Sequence, residues 1–129
     1  MKVPGNLFVV DDDPMSRKAA KALASSLKIP CESFASAEEF LDRYSPSLTG
    51  CLLLDYRLGG MDGLQLQERL RGMGSLLRVV LISAYADAPL TVRALRNGAA
   101  AVVEKPYKDD DLADAIRKAC RSEQQAPRE

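Results

Sequence analysis

A chain of 129 residues, 47% of them hydrophobic, has the size of one ordinary domain and can build a core without disulfides or a structural metal. Lysine plus arginine equals aspartate plus glutamate, 18 against 18, which argues against a general binder of nucleic acid or membrane surfaces. With no histidine present, histidine-based triads and histidine metal sites are excluded, so any chemistry must run on carboxylates, lysine and hydroxyls.

Read from the front, Met1-Lys2-Val3-Pro4-Gly5 leads into no apolar stretch of signal-peptide type, and no later run approaches membrane-spanning length. A cytoplasmic chain with no membrane partner is expected. The first apolar run is Leu7-Phe8-Val9-Val10, and Met15 to Leu27 follows as a helix with Ala19, Leu23 and Leu27 on one face. A weaker run covers Cys31 to Phe34. Ser36-Ala37-Glu38-Glu39 then has the form of a capping box, with Ser36 the cap and Glu39 answering it. The third run is Cys51-Leu52-Leu53-Leu54. Asp62-Gly63 reads as a turn, and Leu64 to Leu70 as a helix stopping near Gly72 and Gly74. Val79-Val80-Leu81-Ile82 is the fourth run. Pro89 suits the first turn of the next helix, and Gly98 its stop after Asn97. After the fifth run, Ala101-Val102-Val103, a last helix buries Leu112, Ala115, Ile116 and Ala119, with Asp109 to Asp111 at its dipole-favoured start. Arg121 to Glu129 is polar and reads as unstructured. The expected organisation is one domain over residues 1–121 and a tail or linker stub over 122–129.

Five strands alternating with five helices predict an α/β sandwich: a parallel, doubly wound sheet with helices on both faces, in the flavodoxin-like order 2-1-3-4-5. The first, third and fourth runs are continuously apolar, as central strands covered on both sides should be. Cys31, Cys51 and Cys120 have no metal-ligand spacing and are expected to be reduced thiols.

In such a sheet the site lies at the carboxyl ends of the strands, beside the switch between strands one and three. The polar residues at those ends are Asp11, Asp12 and Asp13 after strand one, Asp55 ending strand three, Ser83 ending strand four, and Lys105 with Pro106 after strand five. Three converging carboxylates would repel one another, and a hard divalent ion with oxygen ligands, Mg²⁺ or Mn²⁺, relieves that. Lys105 and Ser83 could then hold phosphoryl oxygens, and phosphoryl transfer needs mainly positioning and charge neutralisation. Register leaves the metal pair open between Asp11 with Asp12 and Asp12 with Asp13.

Phe8-Val9-Val10-Asp11-Asp12-Asp13, Leu53-Leu54-Asp55-Tyr56-Arg57-Leu58, Leu81-Ile82-Ser83-Ala84 and Glu104-Lys105-Pro106 occur in this order, each at a strand end. Together they resemble the CheY-like receiver domains of two-component response regulators, from about Asn6 to Cys120. The resemblance implies that Asp55 accepts a phosphoryl group from a histidine kinase or a histidine phosphotransfer protein. It implies that Asp12 and Asp55 bind Mg²⁺ with the main-chain carbonyl of Arg57, that Asp11 acts largely through water, and that Ser83 and Lys105 contact the phosphoryl group. The sequence departs from the family where Leu58-Gly59 replaces the usual Met-Pro and where Val102 replaces a common aromatic. Val102 is β-branched and cannot swing as an aromatic does, so the switch is expected to move the segment from Ala84 to Asn97 instead. Phosphorylation-enhanced self-association through the face formed by the fourth helix, strand five and the fifth helix is expected, and no direct nucleic-acid binding. Arg57 and Tyr85 are bulky and are expected to slow loss of the phosphoryl group. Two further readings are a constitutive interaction scaffold and a small Mg²⁺-dependent phosphatase. Against the phosphatase, Arg57 stands where a second acid would be needed.

Overall fold

The structure, a computed structural model, describes residues 5–84 and 87–124. Unbroken apolar runs form β1 (Leu7–Val10), β3 (Cys51–Asp55) and β4 (Arg78–Ser83), and all but Arg78 of their residues are buried. Strands of this kind need cover on both faces, which helices on both sides of a parallel sheet provide. The less apolar β2 (Cys31–Phe34) and β5 (Ala101–Glu104) take the edges, where one side meets no further strand. All pairings are parallel and the order is β2-β1-β3-β4-β5, as the alternation of elements predicts.

The period-two alternation of the strands splits the core into two layers. Leu7, Val9, Leu53, Val80 and Ile82 pack against α1 (Pro14–Ser26) and, on the same face, against Leu112, Ala115, Ile116 and Ala119 of the last helix. Phe8, Val10, Leu52, Leu54 and Leu81 face the other way. They meet α2 (Ala37–Arg43), α3 (Gly63–Gly72) and α4 (Ala88–Arg96). The last helix, α5 (Asp109–Gln124), opens with three acids, as expected.

Four expectations need correction. The buried stripe of α1 is Ala20 and Ala24, flanked by half-buried Leu23 and Leu27, whereas Ala19 is exposed. Two small residues let the helix lie close on the sheet. Helix α5 continues through residues 121–124, read from sequence as tail; residues 125–129 lie outside the described part. Asp62 is more than a turn residue. Its carboxylate accepts from the N–H of Gln65 at 2.8 Å, and Gln65 Oε1 accepts from the Asp62 N–H at 2.9 Å, a reciprocal cap at the start of α3. The Ser36 cap is present, accepting from Glu39 N–H at 3.0 Å, but Glu39 answers on the N–H of Ala35.

Gly63 locks α3 against the end of β3. Its N–H donates to the Tyr56 carbonyl at 2.8 Å, and a Cβ there would lie 2.5 Å from the Asp55 carbonyl oxygen and 2.9 Å from Tyr56 Cα. These are backbone atoms that cannot swing aside. Gly63→Ala is therefore expected to lower stability by about 2 kcal/mol, an overpacking cost, in urea unfolding. An unchanged midpoint would mean that β3 and α3 can part here without loss.

Candidate functional site

Parallel strands deliver their last residues to one edge. Val10 of β1 lies beside Leu54 of β3, which lies beside Leu81 of β4. The chain leaves β1 toward α1 on one face and β3 toward α3 on the other, so a crevice opens between them. Into it project Asp11, 5% exposed, and Asp55, 7% exposed. Ser83 at the end of β4 is buried, and its carbonyl accepts from the N–H of Lys105 at 2.9 Å. That bond ties the exit of β5 to β4. The Lys105–Pro106 peptide bond is cis.

The three consecutive acids after β1 part company. Asp13 turns to α1, where its carboxylate caps the helix, accepting from Met15 N–H at 3.0 Å and the Ser16 hydroxyl at 3.2 Å. Asp11 turns inward, with one carboxylate oxygen accepting from Asp13 N–H at 2.9 Å. Arg17 fastens the turn by donating to the Asp11 carbonyl at 2.8 Å. Asp12 is exposed at the mouth. Carboxylate oxygens of Asp11, Asp12 and Asp55 lie within 4.8 Å of one another, so the acidic cluster contains Asp11 and Asp12 but not Asp13.

Lys105 reaches in from the far side of the sheet. Its Nζ is 3.1 Å from Asp55 Oδ1 and 3.4 Å from Asp11 Oδ2. Burial, with Asp11 close by, pushes the Asp55 carboxyl up to about 6 even though Lys105 pulls the other way. Burial disfavours the Lys105 ammonium, but Asp11 and Asp55 outweigh it and hold its pKa above the ordinary lysine value. Three carboxylates against one ammonium leave two negative charges in the crevice. Hard oxygen donors carrying that excess suit a divalent cation of the Mg²⁺ kind.

Other singled-out residues lie around this cluster. Arg57 and Ala84 are exposed on the loops after β3 and β4. Val102 is half-buried against the core layer that includes Leu90 and Ala94 of α4. Tyr85 lies outside the described residues. The cap and close packing at Asp62-Gly63, directly behind Asp55, were missed by sequence reasoning; the signal was an acid followed three residues later by Gln65.

The sequence model of the response regulator receiver domain matches residues 7–117. The transcriptional regulatory protein TdiR of Thauera aromatica is 38% identical over 113 residues, covering 88% of this chain and 50% of that protein. In fold, the chain is similar to the low-resolution structure of the response regulator StyR, with a TM-score of 0.87 and 38% identity over 93% of this chain and 61% of that one. Full-length FixJ from B. japonicum gives a TM-score of 0.86 and 32% identity over 95% and 61%. The chain spans about half the length of the curated relatives it matches.

Proposed function

This chain belongs to the response regulator receiver family of two-component systems, and on that premise we propose that Asp55 accepts a phosphoryl group from a histidine kinase or histidine phosphotransfer protein. One observation carries the reading: Asp55 is the buried last residue of a central strand, between two further acids and a lysine. One Asp55 carboxylate oxygen bonds to phosphorus as the bond from phosphorus to the donor nitrogen breaks, giving an acyl phosphate. Asp12, Asp55 and the Arg57 carbonyl are the proposed holders of Mg²⁺ or Mn²⁺, with Asp11 acting largely through water. When bound, the ion would neutralise charge on the transferring group. Lys105 exchanges its contact with Asp55 for a phosphoryl oxygen, and the Ser83 hydroxyl donates to another. The phosphoryl group is a signal here rather than a substrate for turnover, in a cytoplasmic chain. Two of the similar proteins carry transcriptional names, TdiR and FixJ, which supports a transcriptional output. Incubation with Mg²⁺ and acetyl phosphate, followed by intact mass, tests this. A single adduct lasting minutes is expected. No adduct would favour a constitutive scaffold, and steady consumption of the donor an enzyme.

Read-out is proposed to run through α4. Its C-terminal end is fastened to α3, because Gln67 Nε2 donates to the Ala94 carbonyl at 3.0 Å and Asn97 Nδ2 to Glu68 at 3.0 Å. Its N-terminal end joins the loop that follows Ser83. A pull on Ser83 therefore swings the N-terminal end about a fixed C-terminal one. Exposed Val92 and Leu95 would then meet a second copy. Amide exchange with and without beryllofluoride should change between Ala84 and Leu90, fade toward Asn97, and leave Val102 in place. Change confined to another face would contradict this.

A further inference from the structure

Asp12 is exposed at the mouth of the crevice, and an exposed side chain is not held by packing. An oxygen of its carboxylate nevertheless lies within 4.8 Å of one from each of Asp11 and Asp55. The main chain on either side of Asp12 accounts for this. Two planar peptide units flank its Cα, and holding both fixes its φ and ψ and so the direction of its Cβ. The unit after it contains the Asp13 N–H, which donates to Asp11 Oδ1 at 2.9 Å. The unit before it contains the Asp11 carbonyl, which accepts from Arg17 Nη1 at 2.8 Å.

Arg17 is half-buried in the first turn of α1, where its N–H donates to the Asp13 carbonyl at 3.0 Å. Its guanidinium, a charge-assisted donor, reaches back six residues to Asp11. Asp11 is also held from β2, its N–H donating to the Phe34 carbonyl at 3.1 Å, and by Lys105 on Oδ2 at 3.4 Å. Of these three ties, the one from Arg17 lies in the peptide unit that Asp11 shares with Asp12. We propose that Arg17 is a positioning residue for the divalent ion: through the Asp11 carbonyl it aims Asp12 into the crevice. This rests on the reading that Asp12 holds the ion. The charge of Arg17 acts the other way, since a cation beside an anionic site repels a dication and its removal should tighten binding. Magnitude decides between them. The field of a partly solvated guanidinium is screened by salt. Losing a group that orients a metal ligand costs roughly ten- to hundredfold in affinity.

Mg²⁺ is titrated into the 129-residue chain in moderate salt while amide resonances are followed. Arg17→Met should bind about tenfold more weakly than wild type. Arg17→Lys, which keeps a donor and the charge, should recover part of the loss. Asp12→Ala combined with Arg17→Met should bind no more weakly than Asp12→Ala alone, because nothing is left for Arg17 to aim. A role in general stability would not produce that non-additivity. Urea midpoints without metal show that each variant is folded. Tighter or unchanged binding in Arg17→Met, or losses that add in the double variant, would overturn the proposal. Undiminished binding in Asp12→Ala would overturn the ligand assignment itself, and the role of Arg17 with it.

Discussion

Lys105→Ala is expected to be less stable than wild type by about 2 kcal/mol at pH 7 in metal-free buffer, and to regain most of the loss at pH 4 or on adding Mg²⁺. The lysine forms ion pairs with both the Asp11 and the Asp55 carboxylates, and both acids are more than nine-tenths buried. Without it the two carboxylates lose the ammonium that pairs with both. Breaking a fully buried pair costs more, but a quarter of the Lys105 side chain meets solvent and softens the effect. The pH sign follows from Asp55. Its folded pKa, about 6, lies above the ordinary 3.8, so its charge weakens the fold as pH rises through that interval. Removing Lys105 raises the folded pKa further. The deficit is therefore largest above about pH 6 and closes when the carboxyl is protonated in both states. Asp55→Asn should have the opposite sign, gaining at most about 3 kcal/mol at pH 7 without metal. Chemical denaturation at the two pH values checks both. A Lys105→Ala deficit as large at pH 4 as at pH 7 would mean that lost packing, not charge, was responsible.

Asp12→Ala is expected to bind Mg²⁺ at least tenfold more weakly than wild type, and to lose the gain in thermal stability that millimolar Mg²⁺ gives wild type. Asp12 is exposed, so its loss should leave the fold standing. The bond from Asp13 N–H to Asp11 and the Asp13 cap on α1 do not involve its side chain. Asp13→Ala provides the contrast. It should cost about 1 kcal/mol by uncapping α1 while leaving Mg²⁺ affinity close to wild type. Equal loss of metal in both variants would return Asp13 to the ligand set.

Much of this architecture was legible because the central strands are unbroken apolar runs. Leu7–Val10, Cys51–Leu54 and Val79–Ile82 are strands in the structure with the expected neighbours, and the sheet order then places Asp11, Asp55, Ser83 and Lys105 along one edge. What stayed hidden depends on packing. Three adjacent aspartates look alike in sequence, and only the turn into α1 separates the capping Asp13 from the inward Asp11. Gly63 reads as a turn glycine until the Asp55 carbonyl is seen against it. Ala19 and Ala20 are equivalent in composition, so the stripe that meets the sheet is fixed by how α1 lies on it. Gln67 carries no mark of burial, being one of three glutamine or glutamate residues interspersed with leucines from Leu64 to Glu68.

The measurement closest to the central claim compares wild type with Asp55→Asn after incubation with Mg²⁺ and acetyl phosphate, by intact mass and far-UV circular dichroism. Asparagine keeps the shape of the side chain but is not a nucleophile. Wild type should carry one phosphoryl group, and Asp55→Asn none, with the same secondary structure. A folded Asp55→Asn protein phosphorylated at the wild-type rate would contradict the assignment of Asp55.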